Sequence, residues 1–508
     1  VQKPSAAAGA PPPLPNVIHF AIVLVGALAS LFVLRYDPEA ALGIAEGTAT
    51  YTLLLALYRG YRITGDGLNV FTLSMMVMLL LYPLHGMLTH DSPVAMRLLG
   101  SDRYEYFTYG LLVMVPGTWL MYLGFRGGKP GPFARFIERR SRPIDDTSPA
   151  LSKKLAVLVV IGLTARVLLV LTGTGTYVNL RGNQATGSSF TFLLDVFGNT
   201  TLIVALYLFA TGAKHKLWPR TAIGVAMILM ESIWGGFFSG SRYLFFVPLL
   251  SAVGVYSAAV KRISLGRMSA ILVVFVMIAL PLATAYKNAY LSRIVELQRQ
   301  GLSATTVLDS LESAEFGQGR EWTDLVGERF HSLTSLALVI RYTPERHPYM
   351  WGKPYLLLPL DIAVPRVIWP DKPFIRQFAN DFRFDYFKVD RGSLSAVKTS
   401  QFGELWANLH LFGVLLGAWV WGRILRFMYS FQFLGGRESL FGRAIYAAAL
   451  PTLVSVIETD QVTGMAFLAK SFIVWMAWTW FLGRKTSPTA SAPPRRRPLT
   501  DKAPEALG

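Results

Sequence analysis

Apolar residues along this chain gather into stretches of about 18 to 25 separated by short polar joints, the length a helix needs to cross roughly 30 Å of hydrocarbon. The pattern predicts spans at about 17–34, 39–58, 68–88, 104–125, 151–171, 190–211, 218–236, 241–260, 267–287, 402–424, 441–457 and 465–483. A bilayer interior offers backbone groups no water, so spanning segments are helices or closed barrels, and the two-residue alternation of barrel strands is absent. The expected fold class is therefore all-α, a polytopic integral membrane bundle of about 12 transmembrane helices. Glu46 and two glycines interrupt the second span. The first span sits where a signal peptide would, but its basic region is only Lys3 and helices keep inserting after it, so it is expected to remain as a helix.

Basic residues set the expected orientation, because short loops rich in Lys and Arg stay in the cytoplasm. Alternate joints are the basic ones: Arg59 and Arg62; Arg126 to Arg142; Lys214 and Lys216; Lys261 and Arg262; Arg423, Arg426 and Arg437; and the tail from Arg484 to Arg497. The joints between them carry few positive charges, notably Arg35, Arg97, Arg103, Arg181 and Arg242. Twelve spans with both termini cytoplasmic satisfy every joint. The expected organisation is a disordered tail over 1–16, spans one to nine over 17–287, a large extracytoplasmic loop over 288–401, spans ten to twelve over 402–483, and a disordered basic tail over 484–508. A loop that long is usually functional. Within it, Trp322, Leu325, Val326, Phe330, Leu333, Leu336, Ala337 and Ile340 fall at helical spacing, predicting an amphipathic helix lying on the bundle or membrane surface. Over 354–370, Pro354, Pro359, Pro365 and Pro370 are expected to break any continuous helix and leave a folded or re-entrant segment buried in protein.

Composition agrees with a membrane chain and removes several chemistries. Of 508 residues 52% are hydrophobic and 16% charged, with mean hydropathy +0.40. Soluble domains carry about 25% charged residues. No cysteine is present, which excludes disulfides, thiolate metal sites and cysteine nucleophiles, and the seven histidines show no metal-ligand spacing. No metal or other cofactor is expected. The net charge of +18 sits largely in the joints, where it reads as topology rather than nucleic-acid binding.

The densest candidate chemistry lies in Trp351-Gly-Lys-Pro-Tyr355 and Val364-Pro-Arg-Val-Ile-Trp-Pro-Asp-Lys-Pro373, from which Lys353, Arg366, Lys372 and Arg376 project. Fixed cations suit an anionic headgroup such as a diphosphate; the plain alternative is contact with anionic lipid or pairing with Asp361 and Asp371. Arg166, Glu46, Asp195 and Glu231 fall inside predicted spans, where an unpaired charge costs at least about 2.5–3.5 kcal/mol, so Arg166 is expected to pair with Glu231 or Asp195.

Gly352 to Tyr355, Pro365-Arg366, Trp369-Pro-Asp-Lys-Pro373, Gly403-Glu404, Asn408 and Gly413, with the earlier Phe238-Ser-Gly-Ser-Arg242, form a pattern that resembles the Wzy-type polymerases of O-antigen and exopolysaccharide repeat units. The resemblance implies a membrane glycosyltransferase of GT-C-like type in a bacterial inner membrane. It implies undecaprenyl diphosphate-linked oligosaccharide as both donor and acceptor, with a chain-length regulator and a flippase as partners alongside membrane lipid. One direct, inverting displacement would build negative charge on the leaving diphosphate, which assigns Arg242, Arg366, Arg181 and Lys372 to stabilise it. Such a step needs a base, for which Glu404 at the mouth of span ten is the candidate, the alternative being a structural cap or arginine partner. Asn408 and His410 are candidate sugar contacts on the same span, or ordinary helix-packing groups, and His331 is a weaker competitor. A flippase or transporter of the same lipid-linked glycan, and a ligase that moves finished glycan to another acceptor, are the rival readings.

Overall fold

The structure, a computed structural model, describes residues 16–127, 144–146, 148–171, 189–237, 242–275, 277, 331–364, 369, 382, 384–388, 398–433 and 439–483. Its regular elements are all helical: α1 (Asn16–Val33), α2 (Pro38–Thr64), α3 (Val70–Leu81), α4 (Pro83–Thr89), α5 (Pro93–Leu99), α6 (Arg103–Arg126), α7 (Pro149–Leu171), α8 (Ser189–His215), α9 (Trp218–Phe237), α10 (Arg242–Ala259), α11 (Leu265–Val274), α12 (Ser332–Tyr342), α13 (Lys353–Ala363), α14 (Gln401–Ser430), α15 (Leu440–Ser455) and α16 (Gln461–Leu482). Among the described residues, seven helical stretches are long and apolar enough to cross a membrane. Large side chains such as Phe20, Val25 and Phe32 stand exposed on α1, an outward face suited to lipid rather than water.

Helix starts follow local chemistry. Asp37 accepts the Ala40 N–H at 3.0 Å ahead of Pro38, Asn69 accepts the Thr72 N–H at 2.9 Å, and Asp460 accepts the Thr463 N–H at 2.7 Å. Each satisfies a donor that the first helical turn cannot pair internally. The core runs between α2, α3, α6, α14 and α15, with Phe71, Phe107, Phe125, Phe402, Trp421 and Phe441 fully buried. Across α7, α8 and α9, Arg166 pairs with Glu231, which also accepts from the Thr201 hydroxyl, so an Arg166–Glu231 bridge is present, with Glu231 buried and Arg166 half-buried.

Three expectations need correction. Helix α12 does not lie on a surface: Ser332 to Val339 are all buried, and the helix packs against α6 and α14. Two of its small polar residues bond inward, Ser335 donating to the Lys398 carbonyl at 2.7 Å and Thr334 sharing a 3.2 Å hydrogen bond with the His85 ring. Over 354–370 the helix α13 passes through Pro359 but ends at Ala363, short of Pro365, and it is not buried in protein: Leu356 and Leu360 stand exposed. Pro354 falls in the first turn, where its missing N–H would go unpaired in any residue. Lys470 of α16 holds α13 through a 2.8 Å contact with Asp361, so that carboxylate pairs inside the bundle. Span ten, expected as one helix over 402–424, is broken at Leu409 (φ −146°, ψ 31°) and His410 (φ 56°, ψ −148°).

Candidate functional site

The break turns α14 into a hairpin. A Cβ on Gly413 would collide with the Leu405 carbonyl, and one on Gly417 with the Leu405 side chain. In a straight helix residues eight or twelve apart lie roughly 12 or 18 Å from each other. The arm over 401–408 therefore folds back along the arm over 411–430, and glycine at 413 permits the approach. The second arm alone retains about 30 Å of helix, enough to span hydrocarbon.

Helix ends buried in a bundle must find partners for their free carbonyls. At this break the Ala407 and Asn408 carbonyls accept from the Met350 and Trp351 N–H groups, each at 3.0 Å. The 349–352 segment is thereby fastened across the hairpin tip. Trp351 (φ 51°) and His410 (φ 56°) both occupy the left-handed region, as does Ser400 (φ 62°) where the hairpin begins. Such conformations at residues with a Cβ cost about 1–3 kcal/mol each and persist where surrounding contacts over-determine them.

At the other end of the short arm, Glu404 is 2% exposed and sits against the first turn of α16. Its carboxylate accepts the Gln461 N–H and, at 3.4 Å, the Val462 N–H, while Asp460 takes the Thr463 N–H. Two carboxylates thus share one helix start, a position the partial positive charge there favours. Gln401 donates its side-chain amide to Gln461 Oε1 at 3.2 Å and its backbone N–H to the Ile457 carbonyl at 3.1 Å. Lys398 and Glu458 pair at 3.3 Å beside this turn. Tyr355 of α13 is buried near Glu404, and burial followed by the negative charge of that carboxylate pushes the phenol well above its ordinary value.

The sequence-predicted residues fall into four groups. Glu404, Asn408 and His410 come together on the hairpin, with Lys353 exposed at the start of the adjoining α13. Glu404 is buried rather than at an open mouth, and both carboxylate oxygens accept from the start of α16. Asn408 is buried and donates to the Glu404 carbonyl at 2.9 Å. His410 is exposed at the hairpin tip rather than deeper in a helix, its ring 4.0 Å from the Trp406 ring and 5.9 Å from Tyr349. Arg242 is the first residue of α10, and its side chain lies outside the described set. Arg181, Arg366, Lys372 and Arg376 lie outside the described residues altogether. His331 stands at the start of α12 with its ring 6.4 Å from that of His85, apart from the hairpin tip.

Sequence reasoning missed Tyr349, Trp406, Gln401 and Gln461 as members of this junction. One signal was available: Gly413 and Gly417, four apart, put two small residues on one helix face, the mark of a close approach. Chemically, the tip combines strained, fixed backbone, exposed aromatic rings, a titratable ring and a nearby ammonium group. Among the described residues no cluster suits a metal ion. No curated protein and no solved structure matches the chain. A family model covering residues 163–450, more than half of the chain and including the whole hairpin, does match, and the chain belongs to that family, described as a domain of unknown function (DUF8712).

Proposed function

We propose that this protein is an integral membrane glycosyltransferase that polymerises polyprenyl diphosphate-linked oligosaccharide repeat units at the outer face of a bacterial inner membrane. The observation that carries the reading is the re-entrant hairpin. Helix α14 breaks at Leu409 and His410 and folds back on itself, and the tip of that fold carries exposed aromatic and titratable groups. In the reaction, a sugar hydroxyl of one lipid-linked unit attacks the anomeric carbon of the glycan on another. The new C–O bond forms as the bond to diphosphate breaks, lipid diphosphate leaves with the electron pair, and a base takes the hydroxyl proton. Arg242, Arg366, Arg181 and Lys372 are assigned to the leaving diphosphate, with Lys353 and Arg376 as further headgroup contacts. His410, exposed at the tip, suits the base better than Glu404, whose oxygens hold α16. The twelve-span arrangement with cytoplasmic termini and an extracytoplasmic 288–401 region is part of this proposal, and it puts the hairpin tip on the side where the glycan is displayed.

Purified protein reconstituted with lipid-linked repeat units is expected to give a ladder of lengthened glycans. One feature favours a second reading: discontinuous helices are a hallmark of secondary transporters, so transport of the same lipid-linked glycan remains the rival. Relocation of the lipid across the vesicle membrane without elongation would select it. Arg366→Ala is expected to abolish elongation with normal expression, and near-normal polymer length in that variant would remove it from the site.

A further inference from the structure

We infer that the hairpin tip is a saccharide-binding ledge, in which Trp351 and Tyr349 receive the face of a sugar ring and His410, Asn408 and Trp406 receive its hydroxyls. This rests on the glycan-polymerising reading and specifies which part of the lipid-linked substrate this surface holds: the neutral sugar, not the diphosphate.

Trp351 is 73% exposed, yet its backbone is fixed by the bond from its N–H to the Asn408 carbonyl, in a left-handed conformation that a tryptophan rarely adopts. A large apolar ring is thus held outward by a costly local geometry. It meets Tyr349 at 6.0 Å between centroids and 71°, Tyr349 meets His410 at 5.9 Å and 87°, and His410 meets Trp406 at 4.0 Å and 48°. Four rings form one continuous series with faces at different angles. Pyranose rings carry C–H groups on their faces and hydroxyls around their rims, so they stack on aromatic faces while hydrogen-bonding at the edge.

Two buried polar groups on the same hairpin are left without partners. Among the described residues, Trp406 Nε1 and Asn408 Oδ1 make no hydrogen bond, although both side chains are more than nine-tenths buried. Asn408 is oriented by the bond from its Nδ2 to the Glu404 carbonyl, which leaves Oδ1 as the free acceptor. Native proteins rarely leave such groups unpaired, because each costs about 1–3 kcal/mol. One free donor and one free acceptor match a hydroxyl, which is both. A tryptophan that merely anchors the protein at a membrane interface needs neither the strained backbone nor the buried unpaired edge.

The test uses the full chain in detergent and two probes: the oligosaccharide released by mild acid from the lipid-linked units, and the undecaprenyl diphosphate carrier without glycan. Saturation-transfer NMR and calorimetry are expected to show the released oligosaccharide binding to the unchanged protein. Trp351→Gly is expected to weaken it about tenfold or more. The thermal midpoint should not fall, since glycine suits the left-handed backbone at this position. Carrier binding should be unchanged, and Trp351→Phe should retain most of the saccharide affinity. Absence of oligosaccharide binding to the unchanged protein, equal affinity in Trp351→Gly, or an equal loss for the bare carrier would overturn the ledge. Failure of the underlying reading looks different. Saccharide binding that depends on Trp351 without any ladder would sink polymerisation and keep the ledge, whereas a ladder with unchanged KM in Trp351→Gly would do the reverse.

Discussion

Replacing Glu404 by glutamine separates a positioning role from a catalytic one. The carboxylate gives one oxygen to the Gln461 N–H and the other to the Val462 N–H, both buried at the start of α16. An amide keeps one acceptor and sets an NH2 group against the remaining N–H, so one buried donor goes unpaired at about 1–3 kcal/mol. Glu404→Ala unpairs both donors and should cost roughly twice as much. Each kcal/mol shifts a midpoint by about 2–4 °C in a domain of 150–250 residues, and by less in a longer chain. The expected result is therefore a drop of a few degrees for Glu404→Gln and a larger one for Glu404→Ala. Differential scanning fluorimetry in detergent at fixed scan rate would read it, with membrane insertion checked by expression level. Elongation should fall partially and in step with the loss of the hairpin, and Glu404→Asp, one methylene shorter, should resemble the alanine variant. An unchanged midpoint together with complete loss of elongation in Glu404→Gln would refute this reasoning and restore Glu404 as the base.

Three further outcomes test the frame that carries the site. Arg166→Leu should destabilise by about 3–5 kcal/mol by leaving Glu231 buried without its cation, and Arg166→Met combined with Glu231→Leu should recover most of that in expression and thermal midpoint. Gly413→Ala forces a Cβ onto the Leu405 carbonyl, and overpacking against backbone of this kind should cost about 1–3 kcal/mol or more and splay the hairpin, read as new protease sensitivity around 405–413. Asp66 is buried between α2 and α3, and burial raises its pKa despite hydrogen bonds from Ser257 and Leu68 and the nearby Arg262. A raised folded-state value favours the protonated fold, so its contribution is full at low pH and is lost as pH rises through that value. The thermal midpoint should therefore decline with rising pH in the unchanged protein and decline less in Asp66→Asn, whose oxygen can accept both bonds. Parallel slopes would show that another group sets the pH response.

Much of the frame was legible because it depends on counts and spacing. Runs of apolar residues marked the long helices, and the cost of isolated charge pointed Arg166 toward Glu231 or Asp195, of which the structure selects Glu231. The site was less legible for specific reasons. No proline or glycine stands at Leu409 or His410, so no residue there marks the point where the chain reverses. Helix α12 reads as amphipathic only if serine and threonine count as water-facing, whereas Ser335 and Thr334 are buried with their hydroxyls bonded inside the bundle. The arm of α14 that carries Glu404 took its meaning from α16, more than fifty residues later, whose free N–H groups no local pattern connects to it.

That dependence explains how the tip is held. Eight residues make a helix too short to be stable in isolation, so the 401–408 arm exists because its surroundings fix both ends. Glu404, Gln401 and the Lys398–Glu458 pair bind its beginning to the turn before α16, and the Met350 and Trp351 N–H groups bind its end. The exposed rings at the tip and the buried start of α16 are therefore the two ends of one short rigid strut. Helices α16 and α13, joined to each other by Lys470 and Asp361, are linked to Asn408 and Trp351 through the short arm and the 349–352 segment. A donor or acceptor glycan seated at the tip would meet a surface whose geometry is set by the packed bundle, which is the condition for holding a hydroxyl at one distance from a reacting carbon.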